Sequence, residues 1–219
     1  MVMTTTQIGY LITFEGCEGA GKTTQAGLLS EALAAKGKET IVLREPGGTA
    51  ISEQIREVVL STKNMGMADT TEVLLFQAAR AQIYEEVIIP ALNKGGVVLM
   101  DRSRDSSVVY QGIVRGFGKP MIEQLNDLST HNVYPNVTFL LDLPAEVGME
   151  RRAKASDKDR IEHENPEFHL RVREAYLSVA KEGDAARPGE NRWVVIDGLQ
   201  TIDQIAQQVL QVINDKLHI

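Results

Sequence analysis

The sequence has a single cysteine, Cys17, so neither an intramolecular disulfide nor a metal site built from several thiolates can form. That usage fits a reducing compartment. No apolar run approaches the roughly 20 residues that a membrane-spanning helix requires. Met1–Gln7 lacks the basic stretch that opens a secretory leader, and the apolar run Ile8–Phe14 is too short for a leader core. We therefore expect a cytoplasmic protein with a flexible tail at 1–7. There is no basic excess either: 23 Lys and Arg stand against 30 Asp and Glu, a net charge of −7. Phosphate backbones are bound by basic stripes, so a broad nucleic-acid surface is disfavoured, while a small anion held by a few local cations is compatible. Internal repeats and low-complexity tracts are also missing.

What is present is ordinary globular usage, 43% hydrophobic and 24% charged over 219 residues, enough for one compact unit with a mobile lid. Five short β-rich runs, Tyr10–Phe14, Thr40–Leu43, Val97–Met100, Val137–Leu141 and Trp193–Ile196, are separated by helical patterns. That alternation predicts an α/β fold, a five-stranded parallel sheet with helices on both faces. Helical periodicity is clearest in Val73–Ile89 and in Ile202–Leu217, the latter introduced by Thr201 and Gln204 at capping-box spacing. The stretch from Arg151 to Glu167 carries both signs of charge and no apolar period until its end. It reads as a solvated, movable segment, a lid over about 150–167.

Gly16-Cys17-Glu18-Gly19-Ala20-Gly21-Lys22-Thr23 fits G-x-x-x-x-G-K-[ST] between the first strand and the first helical run. Glycine at 16 and 21 lets backbone N–H groups turn toward phosphate oxygens, and the helix start adds its positive end. Gly19, Ala20 and Thr24 complete the phosphate-facing turn, Lys22 is expected on the β- and γ-phosphates, and the Thr23 hydroxyl on Mg²⁺. The same loop serves kinases, GTPases and transport ATPases, so other residues must decide. Guanine recognition is disfavoured, because the only Asn-Lys pair, Asn93-Lys94, is followed by Gly95-Gly96.

Leu43-Arg44-Glu45-Pro46-Gly47-Gly48-Thr49 follows the second strand and Asp101-Arg102 ends the third, at strand tips where open α/β sheets bind ligands. With these stand Phe76 and Arg80 in Leu-Leu-Phe-Gln-Ala-Ala-Arg, Tyr110-Gln111-Gly112 and Asp159-Arg160-Ile161-Glu162. In this order, from the phosphate loop to beyond the lid, the landmarks resemble the thymidylate kinase family of P-loop nucleoside monophosphate kinases. The resemblance implies phosphorylation of dTMP to dTDP with ATP and Mg²⁺, a step toward dTTP for DNA synthesis, and a homodimer. It implies that Phe76 stacks on thymine and Arg80 bonds a ring carbonyl, that Arg44 and Arg102 grip the acceptor phosphate, and that Glu18 accepts the sugar 3′-hydroxyl. Tyr110 is implied to crowd a 2′-hydroxyl, with Gln111 near the base and Pro46 and Ser107 lining the same site.

Read without the resemblance, Phe76 and Arg80 share one helix face and fit a core aromatic with a solvated cation just as well. Arg44 and Arg102 equally suit ion pairs with neighbouring carboxylates, and Glu18, Tyr110 and Gln111 suit packing or surface roles. An acceptor phosphate is substantially ionised at neutral pH, so no strong base is required. Catalysis then consists of placing two polyanions in line and neutralising charge through Mg²⁺, held by Thr23 and Asp101, together with Lys22 and arginines. Among the lid cations Arg151, Arg152, Lys154, Lys158 and Arg160, we expect Arg152 and Arg160 to reach the transferring phosphate. Ser103 departs from the family, many members of which carry an aromatic after Asp-Arg. Two other readings stay open: a deoxynucleoside kinase acting on thymidine with Glu15 or Asp101 as base, and a P-loop regulatory ATPase or GTPase switch.

Overall fold

The computed structural model describes residues 9–153, 159–183 and 191–219. The expected tail at 1–7 lies outside them. Five strands, β1 (Tyr10–Glu15), β2 (Thr40–Arg44), β3 (Val97–Asp101), β4 (Val137–Asp142) and β5 (Trp193–Asp197), form one parallel sheet in the order β2-β3-β1-β4-β5. Each lies within a residue of its expected bounds.

A parallel sheet buried on both faces needs apolar side chains pointing both ways, and β1 supplies them. Ile12 and Phe14 join a core with Leu29 and Leu33 of α1 (Lys22–Ala35) and Ile205, Val209 and Ile213 of α9 (Ile202–Leu217). Leu11 points oppositely, into a cluster with Ile83, Tyr84, Ile88 and Leu92. Those residues belong to a long helical stretch: α3 (Asp69–Ile83), a π-helical turn at Tyr84–Ile88 and α4 (Ile89–Asn93). A second π-helical stretch, Val108–Val114, follows the short α5 (Arg104–Ser107) and packs with Ile122 of α6 (Lys119–Ser129) and Phe168, Val172 and Tyr176 of α8 (Pro166–Glu182). The expected capping box is formed at α9: Thr201 Oγ1 accepts the Gln204 N–H at 3.3 Å and the Gln204 side chain accepts the Thr201 N–H at 3.0 Å.

The register lines up the strand tips that carry the chemistry. Asp101 is opposite both Phe14 and Arg44. The ladder continues one residue further, with Arg102 N–H donating to Phe14 and Glu45 N–H to Asp101, each at 3.0 Å.

Two helices flank the remaining functional segments. The helix α2 (Ala50–Leu60) starts after the Glu45–Thr49 turn, with Thr49 Oγ1 accepting from the Ser52 N–H. The helix α7 (Ala145–Ala153) enters the expected lid segment, of which 154–158 lie outside the described residues.

Candidate active site

The phosphate loop turns through backbone that only glycine adopts readily: Gly19 has φ +71° and a Cβ there would strike the Gly148 carbonyl, while Gly21 at φ +95° opens α1. Lys22 lies back across the loop, its Nζ donating to the carbonyls of Gly16 at 3.1 Å and Cys17 at 2.8 Å. Burial and the nearby Arg102 lower its pKa from the ordinary value. Thr23 Oγ1 donates to Asp101 Oδ2, which brings a hydroxyl and a carboxylate together at the mouth of the loop. Among the described residues, no group of three or more His, Cys, Asp or Glu could hold a metal by itself. The oxygen pair Thr23 and Asp101 nevertheless fits Mg²⁺, which takes few protein ligands and completes its shell with water and phosphate oxygens.

Facing the loop across a cleft of about 540 Å³ stand Arg44, Arg56 and Arg102. Arg102 is the most tightly held. Its Nη2 donates to Glu18 Oε1 at 2.6 Å, its Nη1 to the Tyr176 hydroxyl at 3.0 Å, and its guanidinium lies 5.2 Å from the Tyr110 ring centre. The Tyr110 hydroxyl donates to Glu18 Oε2 at 3.0 Å. Burial pushes the Glu18 carboxyl upward, but Arg102 and Lys22 together outweigh it and bring it down to about 2. Arg44 pairs with Glu53 at 3.1 Å, and both side chains are largely exposed. Such a pair is worth little and is readily exchanged for a ligand anion. Arg56 Nη1 donates to the Pro46 carbonyl at 2.7 Å. The far wall carries Phe76, half-buried on α3, with Ser107 and Gln111 beside it.

A family profile described as thymidylate kinase matches residues 14–209. The thymidylate kinase of Pelobacter propionicus is 43% identical over 218 residues, covering 96% of this chain and 97% of that protein. That of Geobacter sp. strain M21 is 46% identical over 203 residues, covering 90% and 88%. The crystal structure of thymidylate kinase from Ehrlichia chaffeensis superposes with a TM-score of 0.73 at 32% identity, covering 94% of this chain and 98% of that one. The chain belongs to the thymidylate kinase family.

Within that family frame, most of the expected residues line one cleft: Glu18, Gly19, Gly21, Lys22, Thr23 and Thr24 from the loop and the start of α1, and Arg44, Pro46, Phe76, Asp101, Arg102, Ser107, Tyr110 and Gln111 from the other segments. Gly16 and Ala20 shape the loop without lining the cleft; Ala20 is buried in the core beneath.

Neither Arg80 nor Arg160 is among the residues that line the cleft. Arg80 is fully buried behind the wall and makes four hydrogen bonds, Nε to Glu45 Oε2, Nη1 to Ser107 Oγ and Asn126 Oδ1, and Nη2 to the Ser103 carbonyl, with Nη2 also 2.7 Å from Glu45 Oε2. Arg160 is also buried. Its Nη2 donates to Glu72 Oε2 at 2.7 Å and its Nε to the Val59 carbonyl at 2.8 Å, so it anchors the segment rather than facing the phosphates. The side chain of Arg152, like Lys154 and Lys158, lies outside the described residues.

The landmark around Arg160 is therefore a built wall and not a solvated run. Asp159 Oδ1 accepts the N–H groups of Ile161 and Glu162, and Asp159, Ile161 and Glu162 all line the cleft. Arg56 also reaches the cleft and no motif marked it, and Glu45, inside the landmark that follows β2, lines the cleft as well. Ser103 is fully buried, with its Oγ 2.9 Å from the Tyr84 hydroxyl, so the ring beside Asp101-Arg102 comes from the π-helical turn after α3. Glu15 is fully buried, is not among the residues that line the cleft, and accepts hydrogen bonds at both oxygens.

Proposed function

We infer that the chain transfers the γ-phosphoryl group of ATP to dTMP, yielding ADP and dTDP. The observation that carries this reading is the confrontation, across one cleft, of the Lys22 loop with Arg44, Arg56 and Arg102, with Phe76 at the far wall. Two anions fit that arrangement, where a hydrolytic switch would need only one.

The loop N–H groups from Gly19 to Thr24 and the Lys22 ammonium hold the donor phosphates. Bound by Thr23 and Asp101, Mg²⁺ would neutralise charge on the phosphates being separated. Arg102 and Arg44 take the acceptor phosphate, a task that planar bidentate donors suit, giving up their contacts with Glu18 and Glu53 as they do so. Glu18 accepts the sugar 3′-hydroxyl, Tyr110 closes the space for a 2′-hydroxyl, and Phe76 stacks on the base beside Ser107, Pro46 and Gln111. Arg80 and Arg160 act as supports behind the wall, Arg80 through its bonds to Glu45, Ser103, Ser107 and Asn126 and Arg160 through its bonds to Glu72 and the Val59 carbonyl. Arg152, on α7 at the entry to the 150–167 segment, supplies the cation that reaches the transferring phosphate when this lid closes. We read residues 1–219 as a single kinase unit.

Exposed Leu74 on α3 and Met121 and Leu128 on α6, the last 76% accessible, support a homodimer through the helical layer. No helix among the described residues is long and apolar enough to cross a membrane, and a lone buried cysteine suits the cytoplasm.

A coupled assay with MgATP and, separately, dTMP, dUMP, dCMP, dGMP, thymidine or no acceptor tests the reading. We expect rapid ADP formation with dTMP and slower formation with dUMP. Thymidine as the best acceptor, or turnover that ignores the acceptor, would overturn it.

A further inference from the structure

Glu15 takes no part in the transfer, yet its carboxylate is fully buried at the end of β1 and saturated with donors. Its Oε1 accepts the Ser103 backbone N–H at 2.8 Å, and its Oε2 accepts the hydroxyls of Ser106 at 2.7 Å and Tyr176 at 2.8 Å. The same two hydroxyls accept from Arg102 Nη1, at 3.3 Å and 3.0 Å. Arg102 itself stands at φ +68°, a left-handed conformation that long side chains rarely adopt and that must be held by its surroundings. One carboxylate thus grips Arg102 from two sides, through the next backbone N–H and through the guanidinium's hydroxyl partners.

Stability does not explain this group. Burial, with the nearby Asp105, pushes the Glu15 carboxyl up to about 7, and an apolar side chain would suit the end of a core strand better. What the carboxylate does supply is direction. In its ionised form the carboxyl is acceptor-only and draws both hydroxyl protons toward itself, so the Ser106 and Tyr176 oxygens turn their lone pairs to the Arg102 N–H groups. A neutral amide in its place presents a donor, reverses the chain and points hydroxyl protons at the guanidinium.

We propose that Glu15, acting through Tyr176 and Ser106, is the positioning residue that aims the Arg102 guanidinium at the acceptor phosphate. The proposal rests on the reading that Arg102 grips that phosphate. Glu15 and Tyr176 are 161 positions apart in the chain, which is why no local motif announces the pairing.

Steady-state kinetics with each substrate varied in turn, on variants whose folding is checked by thermal unfolding, test it. Glu15→Gln keeps volume and should raise the KM for dTMP about tenfold, the lower end of what a hydrogen bond to a charged group is worth. The KM for ATP should stay within about a factor of two, a split that general damage to the fold does not produce. Tyr176→Phe should shift the dTMP value in the same direction by about three- to fivefold, and the double variant should fall short of the product of the two, because both act through one chain. If Glu15→Gln does not fold, Tyr176→Phe decides by the same split. An unchanged dTMP KM in the folded variants, or equal rises for both substrates, overturns the proposal. Arg102→Ala separates the two levels. An unchanged dTMP KM there overturns the role of Arg102 itself, whereas a raised value there with wild-type values in Glu15→Gln and Tyr176→Phe overturns the positioning role alone.

Discussion

Glu15 and Glu18, three positions apart, titrate in opposite directions from the same ordinary value of 4.5. Burial and Asp105 raise Glu15 to about 7. At Glu18 burial is outweighed by Arg102 and Lys22, and the carboxyl falls to about 2. Folded Glu15 therefore binds more protons than the unfolded chain, and its contribution to stability is full below about pH 4.5 and lost as pH rises through 7. Glu18 contributes fully above about pH 4.5 and loses that contribution as pH falls toward 2. Thermal unfolding across this range should show Glu15→Gln gaining on the parent as pH rises from 4.5 to 7.5, and the deficit of Glu18→Gln shrinking as pH falls from 4.5 to 2.5. Differences that do not vary with pH would contradict both assignments. Phe76, half-buried at the cleft wall, offers a simpler test. Phe76→Ala should raise the KM for dTMP roughly 5- to 100-fold, the worth of one base–aromatic stack, and leave ATP saturation alone. Equal loss for both substrates would mark Phe76 as a packing residue. That Phe76 and Arg80 share a helix face was legible from their spacing. Which of the two meets the cleft was not, because the Arg80 donors are claimed by Glu45, Ser103, Ser107 and Asn126, brought together from three other segments.

The strands and the capped α9 were legible because both rest on local rules, apolar runs between turns and a side chain bonding its own helix start. The π-helical stretches were not. Val73–Ile89 reads as one continuous period, and nothing in it marks the extra residue taken up at Tyr84–Ile88. At Val108–Val114 the Arg115 N–H reaches back five residues to the Tyr110 carbonyl at 2.9 Å, which re-aims Tyr110 and Gln111 in a way a 3.6-residue period cannot announce. The charged run after α7 misled for a different reason. Mixed charge usually marks a solvated face, but Arg160 is buried on Glu72, which also accepts from Gln111 at 2.9 Å and Arg115 at 3.2 Å. Glu72 is thus the peg that fastens the 159–164 wall to α3. Glu72→Ala leaves a buried guanidinium without its partner and should cost about 3–5 kcal/mol in denaturant unfolding, far more than the ~1 kcal/mol expected of Thr201→Ala at the α9 cap. Similar losses at the two positions would remove Glu72 from that role.

Across the whole molecule, the order β2-β3-β1-β4-β5 gathers the chemistry at one edge of the sheet. It sets the tips of β2 and β3 beside the loop that leaves β1, so residues from Glu18 to Gln111 face a common space although their motifs are scattered through half the chain. The central claim is that this space holds a phosphate on Arg102, opposite the Lys22 loop. Calorimetric titration of dTMP and of thymidine into the parent and into Arg102→Ala tests it most directly, since the two ligands differ only by the phosphate. The account predicts that dTMP binding weakens at least about tenfold while thymidine binding is unchanged. Undiminished dTMP affinity, or parallel loss of both ligands, would contradict it.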